Sequence, residues 1–369
     1  MLFSTVFLAS AFLGTFFAIK LLRPMSCKLG LTDKPDDRKQ HLGEVPLVGG
    51  IAVYLGIFVT CFFILISNSI ETEKLVIYLI ASMLMVITGA LDDRFDLSVK
   101  IRLVVQIVIA LIMLLIAGDA IFSLGNLFSF GEVSLGLFAY PFTVLAVLAA
   151  INAYNMVDGI DGLIGGISIS TFISLSLLFF MSGNHQLAFF CLICIATLLP
   201  YLLYNLQLTR FSSKKIFMGD AGSMFIGFTV VWLLAIGSQG AVDGANTSAF
   251  APVSSLWIVA LPLMDMVVIM LRRIKKGVSP FKADREHLHH IFMRAGFSSR
   301  ETLVFISLFS LLLSQIAVIS TLFLIPEWIQ LVAFVLLFSA YNYSLSHIWR
   351  LLKFVRKENT TETSGATQA

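Results

Sequence analysis

The chain has 369 residues, of which 58% are apolar and 13% charged, with 33 Phe and a formal net charge of +3. A soluble domain needs roughly a quarter of its residues charged to cover its surface. This composition therefore excludes a soluble fold and predicts a protein whose main solvent is lipid.

A helix needs about 20 apolar residues to cross the hydrocarbon of a bilayer. Runs of that kind lie near 2–22, 46–67, 75–91, 101–117, 135–152, 162–181, 187–206, 216–236, 250–271, 302–320 and 326–347. They are about twice the length of a barrel strand and do not alternate polar with apolar. The expected fold is all-α: a polytopic membrane bundle of about eleven transmembrane helices. Residues 1–357 read as one integral membrane catalytic domain, and 358–369 as a polar, disordered cytoplasmic tail.

Orientation follows from the basic residues. Of the 25 Lys and Arg, 24 fall in alternate gaps, at 20–39, 94–102, 210–215, 272–300 and 350–357, and Lys74 alone falls in the other set. The positive-inside rule then places the N-terminus outside and the C-terminus in the cytoplasm. The first run has no basic segment before it and its positive charges follow it, so it is expected to stay as an anchor rather than be cleaved.

In chain order, the first unusual feature is Asp92-Asp93 at the end of an apolar run. Two adjacent carboxylates at a helix C-terminus repel each other and oppose the helix dipole, so a cation or a function is needed to offset the cost. The outside segment 120–135 alternates partly around Gly125-Asn126 and predicts a small extracytoplasmic β-hairpin. Next comes Asn152-Ala-Tyr-Asn155-Met-Val-Asp158-Gly-Ile-Asp161-Gly162, which joins two runs without an ordinary linker. Asn155, Asp158 and Asp161 recur every three residues, and oxygen ligands at that density suit Mg²⁺ or Mn²⁺. Cys191 and Cys194 have the spacing of a redox pair, but inside an apolar run they read as small hydrophobes.

Further along, Lys214-Lys215-Ile-Phe217-Met-Gly219-Asp220-Ala-Gly222-Ser223 opens another run. Its glycines predict free backbone N–H groups at a helix start, a natural phosphate site. Arg285-Glu-His287-Leu-His289-His290 holds three of the six histidines. A helix from about Asp284 to Met293, ended by Gly296, would put His287 and His290 on one face. Beside so many Arg and Lys these imidazoles point to anion binding more than to zinc. All four motifs share the inside face, which fits a metal–diphosphate site built from several loops.

Leu91-Asp92-Asp93, Asn152-x-x-Asn155-x-x-Asp158-Gly-x-Asp161-Gly162, Phe217-Met-Gly-Asp220-x-Gly-Ser and His287-x-His289-His290 occur in the order found in the polyprenyl-phosphate N-acetylhexosamine-1-phosphate transferases, which the chain resembles over nearly its whole length. Arg38-Lys39-x-His41 and Pro46-x-x-Gly49-Gly50 fit the N-acetylglucosamine branch. In the muramoyl-pentapeptide branch a Lys follows the Asp pair and the histidines are consecutive; here Asp96 and Leu288 stand in those places.

The resemblance implies a bacterial inner-membrane enzyme working at the cytoplasmic face. UDP-N-acetylglucosamine or another UDP-N-acetylhexosamine would be the donor and undecaprenyl phosphate the acceptor, with UMP released. It places the reaction at the first membrane step of O-antigen or enterobacterial common antigen assembly. Asp220 and Asn155 would hold Mg²⁺ (or Mn²⁺). Asp92 would deprotonate the lipid phosphate, assisted by Asp93, or attack phosphorus itself. Phe217 would stack on uracil, with Asp158 and Asp161 in the nucleoside-binding stretch. Arg285, His287, His289 and His290 would hold the diphosphate or sugar. No nucleic-acid partner is expected, and a homo-oligomer is left open. The rival from another class, a secondary transporter, predicts ionisable residues at mid-span, where Asp265 is the clear example.

Overall fold

The computed structural model describes residues 2–33, 43–66, 72–209, 214–239, 248–280 and 287–347. The chain opens with α1 (Leu2–Leu22) and a short α2 (Ser26–Leu29). Long helices follow: α3 (Gly49–Ile66), α4 (Thr72–Phe95), α5 (Val99–Leu111), α6 (Ala139–Val157), α7 (Leu163–Met181), α8 (His185–Asn205) and α9 (Gly219–Gln239). The C-terminal part holds α10 (Ser254–Ile258), α11 (Ala260–Lys275), α12 (Leu288–Arg294), α13 (Ser299–Leu322) and α14 (Glu327–Ser346). Local sequence sets several helix starts. Ser98 and Asn184 accept N–H bonds at the beginnings of α5 and α8, and Ser298 with Glu301 forms a capping box on α13.

Ten helices among the described residues are long and apolar enough to cross a membrane. Large apolar side chains such as Leu115, Leu145, Leu312 and Leu336 are exposed around the bundle, as lipid-facing residues are. The protein is a multi-pass membrane protein. The run expected at 250–271 is not one helix: α10 stops at Ile258 and α11 starts at Ala260. Pro262 explains the break. It has no N–H to give the Ile258 carbonyl, and its ring crowds that oxygen.

The centre of the bundle is α9, which is buried within the protein along nearly its whole length, whereas α1 and α14 are mostly exposed around the edge. It packs against α3, α4, α6 and α7, while α1 packs on α3 and α8, and α13 lies on α7 and α10. With no hydrophobic drive between helices in lipid, close contact of small residues does this work. A Cβ added to Gly50 would lie 2.1 Å from Gly222 Cα, and one added to Gly89 would lie 2.4 Å from Ala221 Cα. The first turn of α9 is thus wedged between α3 and α4.

The expected outside hairpin is reduced to one antiparallel bridge, Ser123 to Ser134. Three backbone bonds still join its two arms, Leu124 N–H to Val133 O, Val133 N–H to Gly125 O and Leu135 N–H to Phe122 O. It is also tied to helix ends: Gln239 Oε1 accepts from the Phe122 and Ser123 N–H groups, and Glu327 Oε1 from Asn126 N–H. Among the described residues, the two-stranded sheet lies elsewhere, where β1 (Thr32–Asp33) pairs antiparallel with β2 (Val45–Pro46). Pro46 O accepts from Phe217 N–H at 2.8 Å, and Gly49 N–H donates to Phe217 O at 2.9 Å. The sheet therefore braces the strand-like segment leading into α9. Arg38, Lys39, His41, Arg285 and the tail 358–369 lie outside the described residues.

Candidate functional site

The motifs meet at the end of the bundle where α4 and α6 finish and α9 begins. Asp93, near the end of α4, accepts from Asp220 N–H at 2.9 Å and Ala221 N–H at 3.2 Å. It caps the first turn of α9 from another helix, satisfying donors that have no partner within α9. Gly219 makes room: its φ is +73°, and a Cβ there would lie 2.5 Å from Asp93 Oδ2. A carboxylate of the protein thus occupies the Asp220 and Ala221 donors, which lie between the Gly219 and Gly222 positions expected to offer N–H groups to a phosphate.

Asp92 is 5% exposed. Its Oδ1 accepts from Leu97 N–H at 2.8 Å and its Oδ2 pairs with Arg102 Nη1 at 2.8 Å. The same Arg102 nitrogen lies 3.9 Å from Asp220 Oδ2. Asn155, at the end of α6, donates Nδ2 to Asp220 Oδ1 at 2.8 Å and to Ser223 Oγ at 3.1 Å. Asp92, Asp93, Asn155 and Asp220 are thus one linked group. Arg102 joins it unnoticed from the sequence, where it was one of three basic residues after the Asp pair.

The second group is built on the α6–α7 turn. Gly162 starts α7 with φ +77° and donates its N–H to Asn205 Oδ1 at 2.5 Å. Asn205 Nδ2 donates to Ile216 O at 2.8 Å, tying this turn to the segment before α9. Asp161 pairs with Lys215 Nζ at 2.6 Å, and that ammonium lies 4.8 Å from the centre of the Phe217 ring. The face of Phe217 assigned to a base carries a cation here. Asp158 is half-buried. Desolvation pushes its carboxyl up to about 7, and the charges of Asp220 and Asp161 add to the shift.

The histidines form the third group. His287 precedes α12 in extended conformation, so it shares no helix face with His290; the helix starts at Leu288, and 284–286 lie outside the described residues. Gly296, at φ +102°, follows the helix end as expected. His287 stacks on His289 with ring centres 5.7 Å apart, and His290 lies tilted against His289 at 4.2 Å. His289 is 3% exposed and its Nε2 is buried without a hydrogen-bond partner. A Cβ on Gly159 would lie 2.1 Å from that nitrogen. Glycine at 159 thus lets the histidine segment lie against the Asp158–Asp161 turn. Burial pushes the His289 imidazole down to about 2, with His290 and His287 adding to the effect. It is neutral at physiological pH.

The donor set fits a hard cation. Asp220, with its side chain 37% exposed, offers a carboxylate beside Asn155, and excess negative charge around Asp158 is what a divalent ion relieves. Among the described residues no three His, Cys, Asp or Glu are arranged to hold a metal by themselves. Mg²⁺ commonly takes one or two carboxylates and completes its shell with water and phosphate oxygens. An apolar cavity of about 360 Å³ lies toward the other end of the bundle, lined by Leu124, Phe142, Ala146, Leu234, Pro252 and Leu256 among others, and none of the site residues borders it.

Residues 75–238, from α4 to the end of α9, match glycosyl transferase family 4. The chain is 46% identical over 347 residues to an undecaprenyl-phosphate alpha-N-acetylglucosaminyl 1-phosphate transferase of Yersinia pestis, covering 94% of this chain and 92% of the relative. A Salmonella typhi protein of the same name is 48% identical over 351 residues, covering 95% and 93%. One from Escherichia coli K12 is 45% identical with the same coverage. The chain belongs to glycosyl transferase family 4. It is an enzyme of the membrane-embedded glycosyl-1-phosphate transferase class. The matched span takes in Asp92, Asp93, Asn155, Asp158, Asp161, Phe217 and Asp220 and ends before the histidines.

Proposed function

We propose that this family 4 enzyme transfers N-acetylglucosamine-1-phosphate from UDP-N-acetylglucosamine to undecaprenyl phosphate. An oxygen of the lipid phosphate attacks the sugar-bearing phosphorus. The bond from that phosphorus to the bridging oxygen breaks, UMP leaves with the electron pair, and undecaprenyl-diphosphate-N-acetylglucosamine stays in the membrane. The observation that carries the reading is the convergence of carboxylates, an amide, Arg102 and three histidines at one end of a membrane bundle. A water-soluble dianion and an anionic lipid head meet at such a place. The names of relatives 45–48% identical support it.

In phosphoryl transfer the protein mainly positions reactants and spreads charge. Asp220 and Asn155 would hold Mg²⁺ (or Mn²⁺), which supplies neutralisation of diphosphate charge when bound. Arg102 is shared between Asp92 and Asp220, so an arriving phosphate competes for it and frees Asp92 Oδ2. Asp92 then accepts the proton of the lipid phosphate. Phe217 stacks on uracil once Lys215 withdraws from its ring, and Asp158 and Asp161 line the nucleoside side. His287, His289 and His290 face the diphosphate or sugar.

With α10 and α11 together taken as an eleventh crossing, the charge bias of the loops supports a bacterial inner-membrane location, with N-terminus outside, C-terminus inside and the site at the cytoplasmic face. The product fits the first membrane step of O-antigen or enterobacterial common antigen assembly. Purified enzyme supplied with UDP-N-acetylglucosamine, undecaprenyl phosphate and Mg²⁺ should release UMP and form the lipid diphosphate sugar. Release of UMP with UDP-N-acetylgalactosamine alone would move the donor, and no UMP with any UDP-N-acetylhexosamine would refute the reaction.

A further inference from the structure

Asp265 lies within α11, 3% exposed. A carboxylate at such depth is costly unless donors surround it. Three do. Its Oδ2 is 2.9 Å from His287 Nδ1, while Oδ1 accepts from Leu288 N–H at 3.1 Å and from Tyr341 Oη at 3.1 Å. These donors come from the residue before α12, the first residue of α12, and α14. None of the transfer steps above uses Asp265.

The pairing has a chemical consequence. A carboxylate surrounded by an N–H and a phenol acts as acceptor at both oxygens, so the hydrogen between it and the ring belongs to His287 Nδ1. The other ring nitrogen, Nε2, is then the atom that His287 offers to anything else. A free neutral imidazole samples both tautomers and turns about χ1 and χ2. Held at Nδ1 by a buried partner, and stacked on His289, this ring keeps one tautomer and one direction.

We infer that Asp265 is a positioning residue for the transfer reaction proposed above: it fixes the tautomer and direction of His287 while pinning the start of α12 to the bundle. The bland alternative is a helix-capping carboxylate whose loss only weakens folding. The two differ in what an isosteric change does. Asp265→Asn keeps an acceptor for Leu288 and Tyr341 but puts an amide donor against His287, which must then carry its hydrogen on Nε2.

The test combines ¹⁵N-histidine spectra with turnover. In the wild type, the His287 signals, assigned by their loss in His287→Asn, should show the hydrogen on Nδ1. In Asp265→Asn they should show it on Nε2, and turnover should fall about 10–100-fold, the usual cost of losing a residue that orients a site group. Adding Asp265→Asn to His287→Asn should cost nothing more, since both act through one ring. Tyr341→Phe should keep the Nδ1 tautomer and most activity. A wild-type hydrogen on Nε2, an Asn variant above half activity, or losses that multiply in the double variant would overturn the inference. If the Asn variant fails to fold, the wild-type and Tyr341→Phe spectra decide. If the wild type releases no UMP, the transfer reading falls, and the wild-type spectrum still decides the tautomer.

Discussion

Asp93→Ala separates a structural role for this carboxylate from a chemical one. The substitution leaves the N–H groups of Asp220 and Ala221, now bonded at 2.9 and 3.2 Å, without their acceptor. Each unsatisfied buried donor costs about 1–3 kcal/mol. Removing an anion from a helix start adds about 0.3–1 kcal/mol. The expected destabilisation is about 2–7 kcal/mol, toward the low end if water enters the space. Asp93→Asn keeps one acceptor and should cost about half as much. Because Asp220 belongs to the turn so capped, its 2.8 Å contact with Asn155 should loosen, and turnover should fall on the order of 10²-fold, as for other small misplacements. Thermal unfolding in detergent and UMP release measure the two effects. A variant with a wild-type unfolding midpoint and no turnover would refute the capping argument and make Asp93 a reacting group.

Three other changes test neighbouring parts of the site. Asp220→Ala should lower turnover at least about 10²-fold and abolish its Mg²⁺ dependence while leaving the unfolding midpoint near that of the wild type; retained Mg²⁺ dependence would move the metal elsewhere. His289 folds neutral because burial holds it down at about 2. Its contribution to stability is therefore complete above the unfolded value of about 6.5 and is lost as pH falls from there toward 2, about 1.4 kcal/mol by pH 5.5. Acidification from pH 7.5 to 5.5 should thus lower the wild-type midpoint more than that of His289→Gln, and equal drops would contradict this. Lys215→Met removes the ammonium over Phe217, a contact worth about 0.5–1 kcal/mol. It should tighten binding of uridine about 2–5-fold by calorimetry; weaker binding would mean that Lys215 itself holds the base.

Membrane spans and motif residues were legible because lipid imposes long apolar runs and because acidic clusters stand out against them. Asp92, Asp93, Asn155, Asp158, Asp161 and Asp220 do gather at one end of the bundle. What they touch was not legible. Nothing local says that Asp93 caps a helix 127 residues later, that Arg102 turns back to Asp92, or that Lys215 covers Phe217. Asp265 looked like an isolated mid-span charge until α12 and α14 supplied its partners. The break at Ile258 had a visible signal in Pro262, and the alternation at 120–135 found a short hairpin-like pairing around the Ser123–Ser134 bridge but not the ties of its outer arm to Gln239 and Glu327. The short sheet at 32–33 and 45–46 is too brief for any periodicity to show.

The burial of α9 also bears on how the chain is made. Asp93 and Gly49 emerge from the ribosome long before their partners at Asp220 and Phe217. At about 5–20 residues per second, the 127 residues from Asp93 to Asp220 take about 6–25 s to synthesise. For that time α3 and α4 sit in the bilayer with an uncapped carboxylate and a glycine-lined gap where α9 will insert. The late helix brings Asp220 to the Asp92–Asp93 pair and fills the middle of the bundle in one event, so a nascent chain arrested before residue 219 has every preceding helix but neither of these.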